Sequence, residues 1–301
     1  MGNGISALAP TCQHCLDHPL NPTQLDVPQL LRQYGLHPNK SLGQNFLLDE
    51  TALQQVISAS AVTPEDVVLE IGPGLGSLTR LLAVSARAVV AVEIDPSLIP
   101  ALTQVVGQYS NVHVIEGDIL TLDPSELASQ DDYLVVANIP YYITSALIRH
   151  LLEASLPPTR LVLTIQEQVA ERICAAPGNM SLLALSVQVY GQPAIVTLIP
   201  ASAFYPPPNV NSAVLRIDRF TTPLIPADRL DVFFQLIKAG FSQKRKTLRN
   251  SLAGGLQMKP SSVEFLLKEA HIDPMRRAET LSLPEWREVT DLYCDRVIAG
   301  N

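Results

Sequence analysis

Four cysteines in 301 residues (Cys12, Cys15, Cys174 and Cys294) are too few and too scattered for a disulfide framework. Cys12 and Cys15 form a C-x-x-C flanked by His14 and His18, but a tetrahedral zinc site normally draws on two separated ligand pairs. No metal is therefore expected. No apolar run approaches the roughly 20 residues that a membrane span needs, and no secretory leader opens the chain. Ser6 stands where a myristoylation signal would have it, in a start that is otherwise ordinary. These absences point to a cytoplasmic protein with no membrane partner, in keeping with 47% hydrophobic and 17% charged residues. No internal repeat is present.

The most informative absence is of negative charge. The net charge of −8 and a pI near 5.2 argue, taken alone, against a polyanionic partner. Yet residues 232 to 263 contain no Asp or Glu while carrying Lys238, Lys244, Arg245, Lys246, Arg249 and Lys259, a local charge of +6 that leaves −14 elsewhere. A uniformly solvated acidic protein does not segregate charge in this way.

What is present is organised around Val67-Val68-Leu69-Glu70-Ile71-Gly72-Pro73-Gly74-Leu75-Gly76-Ser77. A β-branched run enters, three glycines alternate, and a helical pattern leaves at Ser77. Glycine is what lets a backbone turn tightly after a buried strand and admit a ligand against it. The spacing is G-x-G-x-G and not the G-x-G-x-x-G of a pyrophosphate binder, which disfavours a dehydrogenase. Three further apolar runs end in polar residues: Ala88–Val92 in Glu93-Ile94-Asp95, Val112–Ile115 in Glu116-Gly117-Asp118, and Tyr133–Ala137 in Asn138-Ile139-Pro140-Tyr141. Such βα alternation predicts a doubly wound parallel sheet, whose ligand crevice lies beyond the carboxyl ends of the strands. Glu93, 17 residues after Gly76, suits acceptance of ribose hydroxyls.

The rest of the chain falls around this unit. Residues 1 to 26 read as an irregular leader and 27 to 220 as the α/β domain. Helices are predicted over Val27–Tyr34, over a segment running to Ala59 behind an Asp49 N-cap, and over Glu167–Cys174. Arg160–Ile165 reads as a fifth strand, and Ala194–Ile199 with Ser212–Ile217 as a closing pair around the Phe204–Asn211 loop, stiffened by three prolines. Thr221–Pro226 reads as a linker, and residues 221 to 301 as a small helical domain with helices Leu230–Ala239, Lys244–Leu252, Ser261–Glu269 and Pro284–Arg296.

Asn138-Ile139-Pro140-Tyr141 suggests the chemistry. An exocyclic adenine amine is a poor nucleophile because its lone pair is delocalised into the ring. Two acceptors, the Asn138 side-chain oxygen and the Ile139 carbonyl, can hold both N–H groups and turn that lone pair toward a methyl donor without a strong base. Pro140 stiffens the turn and Tyr141 offers a stacking face. A base in a helix or loop must be extruded to reach it.

Together with Lys40 to Leu47, Glu70 to Thr79, Glu93-Ile94-Asp95, Gly117-Asp118-Ile119, Phe204 to Val214 and Phe241 to Leu248, this motif resembles the ribosomal RNA adenine N6,N6-dimethyltransferase family, in particular its bacterial 16S (small-subunit) branch. The resemblance runs in family order from about residue 28 to the end. It implies a Rossmann-like S-adenosylmethionine-dependent methyltransferase sheet with a small C-terminal helical domain, acting on two adjacent adenosines in a hairpin loop near the 3′ end of 16S rRNA within a pre-assembled small ribosomal subunit. S-adenosylmethionine would be held by Asn45, Leu47, Gly72, Gly74, Glu93, Ile94, Asp118, Ile119 and Asn138. The target adenine would stack between Tyr141 and Phe204, and Lys244, Arg245, Lys246 and Arg249 would contact RNA. A monomer is expected.

Three departures stand out: the long leader, Gln168 where the family has a carboxylate, and a 177–183 segment without the usual basic and aromatic residues. Two rivals remain at this point, a 23S rRNA dimethyltransferase and a non-catalytic RNA-binding assembly factor on the same fold. The form of the 138–141 turn and the Phe204 loop favour the small-subunit branch. The presence of Glu93, Asp118 and Asn138 disfavours a protein without catalysis.

Overall fold

The computed structural model describes residues 25–128 and 132–299; Cys12, Cys15 and most of the leader lie outside them. In chain order the elements begin with α1 (Val27–Gln33), β1 (Phe46–Leu47), α2 (Glu50–Ser60), β2 (Val67–Ile71), α3 (Thr79–Ser85), β3 (Ala88–Glu93) and α4 (Ile99–Val106). They continue with β4 (Val112–Glu116), α5 (Pro124–Ala128), β5 (Tyr133–Asn138), α6 (Thr144–Leu152), β6 (Arg160–Gln166), α7 (Glu167–Ile173) and α8 (Leu182–Gln188). Then come β7 (Gly191–Ile199), β8 (Phe204–Tyr205), β9 (Ser212–Arg219), α9 (Leu230–Phe241), α10 (Leu248–Leu256), α11 (Pro260–Glu269) and α12 (Leu283–Ala299).

Among the described residues the main sheet has the order β4-β3-β2-β5-β6-β9-β7. Strands β4 to β6 pair in parallel, while β9 runs antiparallel to both β6 and β7. The chain winds outward through β2, β3 and β4, then returns to lay β5 on the other side of β2. That reversal is the topological switch point where open α/β sheets bind ligands.

The near-continuous apolar runs follow from helices covering both faces of the sheet. Val67, Leu69, Ile71, Val135, Ala137, Leu161 and Leu163 enter one cluster with α6 and α8, whereas Val68, Leu134, Val136 and Val162 enter another with α2. Asp49 caps α2 as its sequence position predicts, its carboxylate accepting from the Ala52 amide at 2.8 Å.

Residues 220–225 are tied to the turn between α8 and β7: the Phe220 and Leu224 amides donate to the Tyr190 and Val189 carbonyls, and Ile225 is buried. The 177–180 loop is likewise held by the tail, where the Glu279 carbonyl accepts from the amides of Gly178 and Met180. The apolar cluster beneath β5 and β6 continues into α9 through α12, where Trp286 is fully buried. A Cβ on Gly240 would lie 2.5 Å from the Trp286 ring, so only glycine lets α9 and α12 approach this closely.

One predicted helix starts elsewhere. Lys244 to Thr247 form no helix; α10 begins at Leu248, after Thr247 adopts φ −65° and ψ 155°. The Lys246 amide closes a turn onto the Gln243 carbonyl at 3.0 Å. Lys244, Arg245 and Lys246 are all exposed, so no apolar face holds this stretch against the tail core, and helical propensity alone does not retain it.

Candidate active site

The carboxyl ends of β2, β3, β4 and β5 converge on one cavity of about 220 Å³. The glycine loop after β2 forms its floor with φ of +70°, +60° and +86° at Gly72, Gly74 and Gly76, a left-handed run that side-chain-bearing residues rarely adopt. The α3 helix starts at Thr79, two residues later than the sequence pattern suggests.

Every residue assigned from the sequence to the donor and to the reaction lines this cavity: Asn45, Leu47, Gly72, Gly74, Glu93, Ile94, Asp118, Ile119, Asn138, Ile139, Pro140, Tyr141 and Phe204. Lys244, Arg245, Lys246 and Arg249 do not. Arg249 is also committed elsewhere, its guanidinium lying 3.0 Å from Glu264. Phe204 is buried in β8 among Leu47, Val214 and their neighbours and reaches the cavity only as part of its wall. Gln168 is exposed on α7.

Hydrogen bonds set the acidic groups. Glu93 is buried, with one carboxylate oxygen accepting from the Gly74 amide and the other from the Asp95 amide, both at 2.9 Å. Burial still raises its carboxyl above the usual range, the two backbone donors opposing the shift. Asp118 accepts from the Leu120 amide at 3.0 Å, which turns its side chain at the mouth of β4.

Sequence reasoning assigned no role to four residues that the structure brings here. Glu70, at the end of β2, is buried with Oε2 unpartnered, and burial, reinforced by the Glu93 charge, pushes its carboxyl up to about 8. Its signal was a lone carboxylate inside a β-branched run. Gln44 donates to Asp95 at 2.7 Å and so latches the 39–47 strap across the end of β3. Burial works against the Asp95 charge, but hydrogen bonds from Ser97 and Gln44 hold its carboxyl below the usual range. Phe46 packs 3.0 Å from where a Gly74 Cβ would stand, and Tyr142, largely exposed, forms part of the cavity rim.

The strap reaches the reaction turn as well. β1 pairs antiparallel with β8, setting Leu47 opposite Phe204. The Asn138 side-chain amide donates to the Asn45 carbonyl at 3.0 Å, leaving its oxygen as the free acceptor.

The lining contains three carboxylates, those of Glu70, Glu93 and Asp118, and no Lys, Arg or His among its described residues. A pyrophosphate would find no counter-charge here, whereas a cationic ligand with hydroxyl and amine donors finds acceptors on several walls. Ile94, at 44% exposure, adds an apolar face beside Glu93 for a flat ring. A sulfonium nucleoside matches this lining.

Residues 35–289 match the ribosomal RNA adenine dimethylase family. The chain belongs to that family. Proteins called ribosomal RNA small subunit methyltransferase A are similar over nearly the whole chain. The one from Dehalococcoides mccartyi (strain CBDB1) is 45% identical over 274 residues, spanning 91% of this chain and 92% of its own. The one from Pelotomaculum thermopropionicum is 42% identical over 282 residues, spanning 89% and 96%. Among solved structures, a dimethyladenosine transferase from Plasmodium falciparum superposes with a TM-score of 0.72 at 25% identity over 85% of this chain and 98% of that one. The 23S rRNA methyltransferase ErmE gives 0.69 at 28% identity over 82% and 99%. The adenine dimethylase fold is thus a Rossmann-like sheet, and the protein is a methyltransferase of ribosomal RNA adenine that uses S-adenosylmethionine.

Proposed function

We propose that this dimethylase acts at N6 of two adjacent adenosines near the 3′ end of 16S rRNA in the small ribosomal subunit, and that the residues named above carry the reaction. The observation behind this reading is the meeting of an acidic donor pocket with the Asn138-Ile139-Pro140-Tyr141 turn in one cavity. The small-subunit choice is supported by the names of relatives at 42–45% identity, against 28% for the 23S enzyme.

Glu93 binds the ribose hydroxyls, Asp118 the adenine amine, and Ile94 packs on the adenine face of the donor. Asn45, Leu47 and the glycine loop enclose its methionine end. The donor supplies an already activated methyl group, so the protein's contribution is alignment. Asn138 Oδ1 and the Ile139 carbonyl accept the N6 hydrogens and aim the nitrogen lone pair. Tyr141 stacks the extruded base. Phe204, being buried, backs this arrangement from the wall and does not form an open second platform.

Lys244, Arg245 and Lys246 form an exposed basic turn between α9 and α10 that meets the RNA backbone, with Arg249 bracing the tail through Glu264. Action as a monomer is part of this reading. Among the described residues no helix is long and apolar enough to cross a membrane, and a ribosomal substrate supports a cytoplasmic setting.

The test is transfer of labelled methyl from S-adenosylmethionine to undermethylated small subunits, large subunits and naked RNA in parallel, followed by nucleoside analysis. Label in N6,N6-dimethyladenosine from small subunits is expected. Label confined to large-subunit RNA would shift the protein to the other branch.

A further inference from the structure

The reaction turn is anchored to the far end of the Phe204 loop through one pair of hydroxyls. Ser212 is the first residue of β9, fully buried and aligned with Gln166 of β6 on one side and Ile199 of β7 on the other. Its Oγ lies 2.8 Å from the phenolic oxygen of Tyr141. Among the described residues neither hydroxyl has another partner. Burial raises the Tyr141 phenol above its usual range, so it stays protonated and able to donate.

We propose that Ser212 is a positioning residue, whose hydroxyl fixes where the Tyr141 ring stands, the ring on which the target adenine stacks. This rests on the stacking role given to Tyr141 above. Tyr141 begins a single 3₁₀ turn, Tyr141–Ile143, and is only half-buried, so backbone and packing leave its ring weakly constrained. The phenolic oxygen is the side-chain atom farthest from the backbone and lies on the long axis of the ring, so one bond there stops the ring swinging about the Cα–Cβ bond. The anchor is rigid because Ser212 is held in ladder register on both sides. It also closes the loop that Phe204 opens, and so ties the two aromatic residues of the site to one frame. The bland alternative is a buried hydroxyl pair that satisfies itself and does nothing for the reaction.

Four variants separate these readings: Ser212→Ala, Tyr141→Phe, their double, and Tyr141→Ala. Each is measured for single-turnover methylation of small subunits, donor affinity and melting temperature. Ser212→Ala and Tyr141→Phe are expected to slow turnover by a similar factor, roughly three- to ten-fold, the size of one neutral hydrogen bond. The double variant should be no slower than either single one, and donor affinity should be unchanged. Should Ser212→Ala fail to fold, Tyr141→Phe carries the test alone. Wild-type rates in Tyr141→Phe or Ser212→Ala beside a crippled Tyr141→Ala overturn the positioning role and leave stacking intact. A wild-type rate in Tyr141→Ala overturns stacking, and positioning with it. Independent multiplication of the two single effects, or loss of rate only in step with melting temperature and donor affinity, also overturns the proposal.

Discussion

The Asn138 side-chain amide donates to the backbone carbonyl of Asn45 across 93 residues of chain, at 3.0 Å. That bond determines which end of the amide faces the cavity. With the nitrogen committed to the strap, Oδ1 is left as an acceptor for the substrate amine. The strap thus encloses the donor and orients the acceptor group together, so neither half of the site is complete without residues 39–47. Asn45 is held in turn, its side-chain amide donating to the Gly43 carbonyl at 3.0 Å.

Asn138→Ala should reduce single-turnover methylation by about a hundred-fold or more, the order seen when one preorganised polar group leaves an active site. RNA affinity should change little, because the contact is made only as the lone pair is aimed. A rate near wild type in a folded variant would remove Asn138 from the reaction.

Glu93→Gln should weaken S-adenosylmethionine binding by about 1.5–3 kcal/mol through loss of charge-assisted ribose contacts. Glu93→Ala should also lower the melting temperature, since Glu93 satisfies the amides of Gly74 and Asp95. Calorimetry on the Gln variant separates the two effects, and unchanged affinity there would place the ribose elsewhere.

The pH dependence of stability reports on Glu70. Its carboxyl is raised to about 8 in the folded protein from 4.5 when exposed. Between those values the folded state holds the extra proton, so this group costs the fold up to about 1.4 kcal/mol per pH unit as pH rises. Glu70→Gln is neutral throughout and should melt at higher temperature than the parent at pH 8 and above, with the gain fading toward pH 5. Parallel melting curves for the two proteins from pH 5 to 8.5 would contradict this assignment.

The basic turn makes a prediction of its own. Reversing Lys244 and Arg245 to Glu should weaken subunit binding and flatten its salt dependence by about one unit of slope per lost phosphate contact, without changing donor affinity. Arg249→Ala should instead act on stability, by about 0.2–1 kcal/mol for a partly exposed pair with Glu264, and leave the slope nearly intact. Unaltered salt dependence in the double reversal would mean that RNA docks elsewhere.

The βα core was legible because strand ends announce themselves: glycines at 72, 74 and 76, acids at 93 and 118, and Asn138 each follow a β-branched run. Sheet physics then brings those ends together. What sequence pattern could not supply were contacts set by long-range register. Asn45 with Asn138, Gln44 with Asp95, and Tyr141 with Ser212 are separated by 93, 51 and 71 residues. Sequence pattern groups Arg249 with the neighbouring lysines as an RNA contact, and the structure pairs it with Glu264 on the next helix, α11. The resemblance sets Phe204 against the target adenine, and pairing of β8 with β1 buries it in the cavity wall. Lys244–Lys246 carries helix-forming residues, but Thr247 in extended conformation starts α10 only afterwards.

The most direct measurement is the mass of the 3′-terminal 16S rRNA fragment after undermethylated small subunits meet the protein and S-adenosylmethionine. Two adjacent adenosines, each carrying two methyl groups at N6, are the expected product, and Asn138→Ala should leave most of the fragment unmethylated over the time in which the parent completes it. Methylation found only in 23S rRNA, or an Asn138→Ala enzyme as fast as the parent, would contradict the assignment of this site to small-subunit adenine dimethylation.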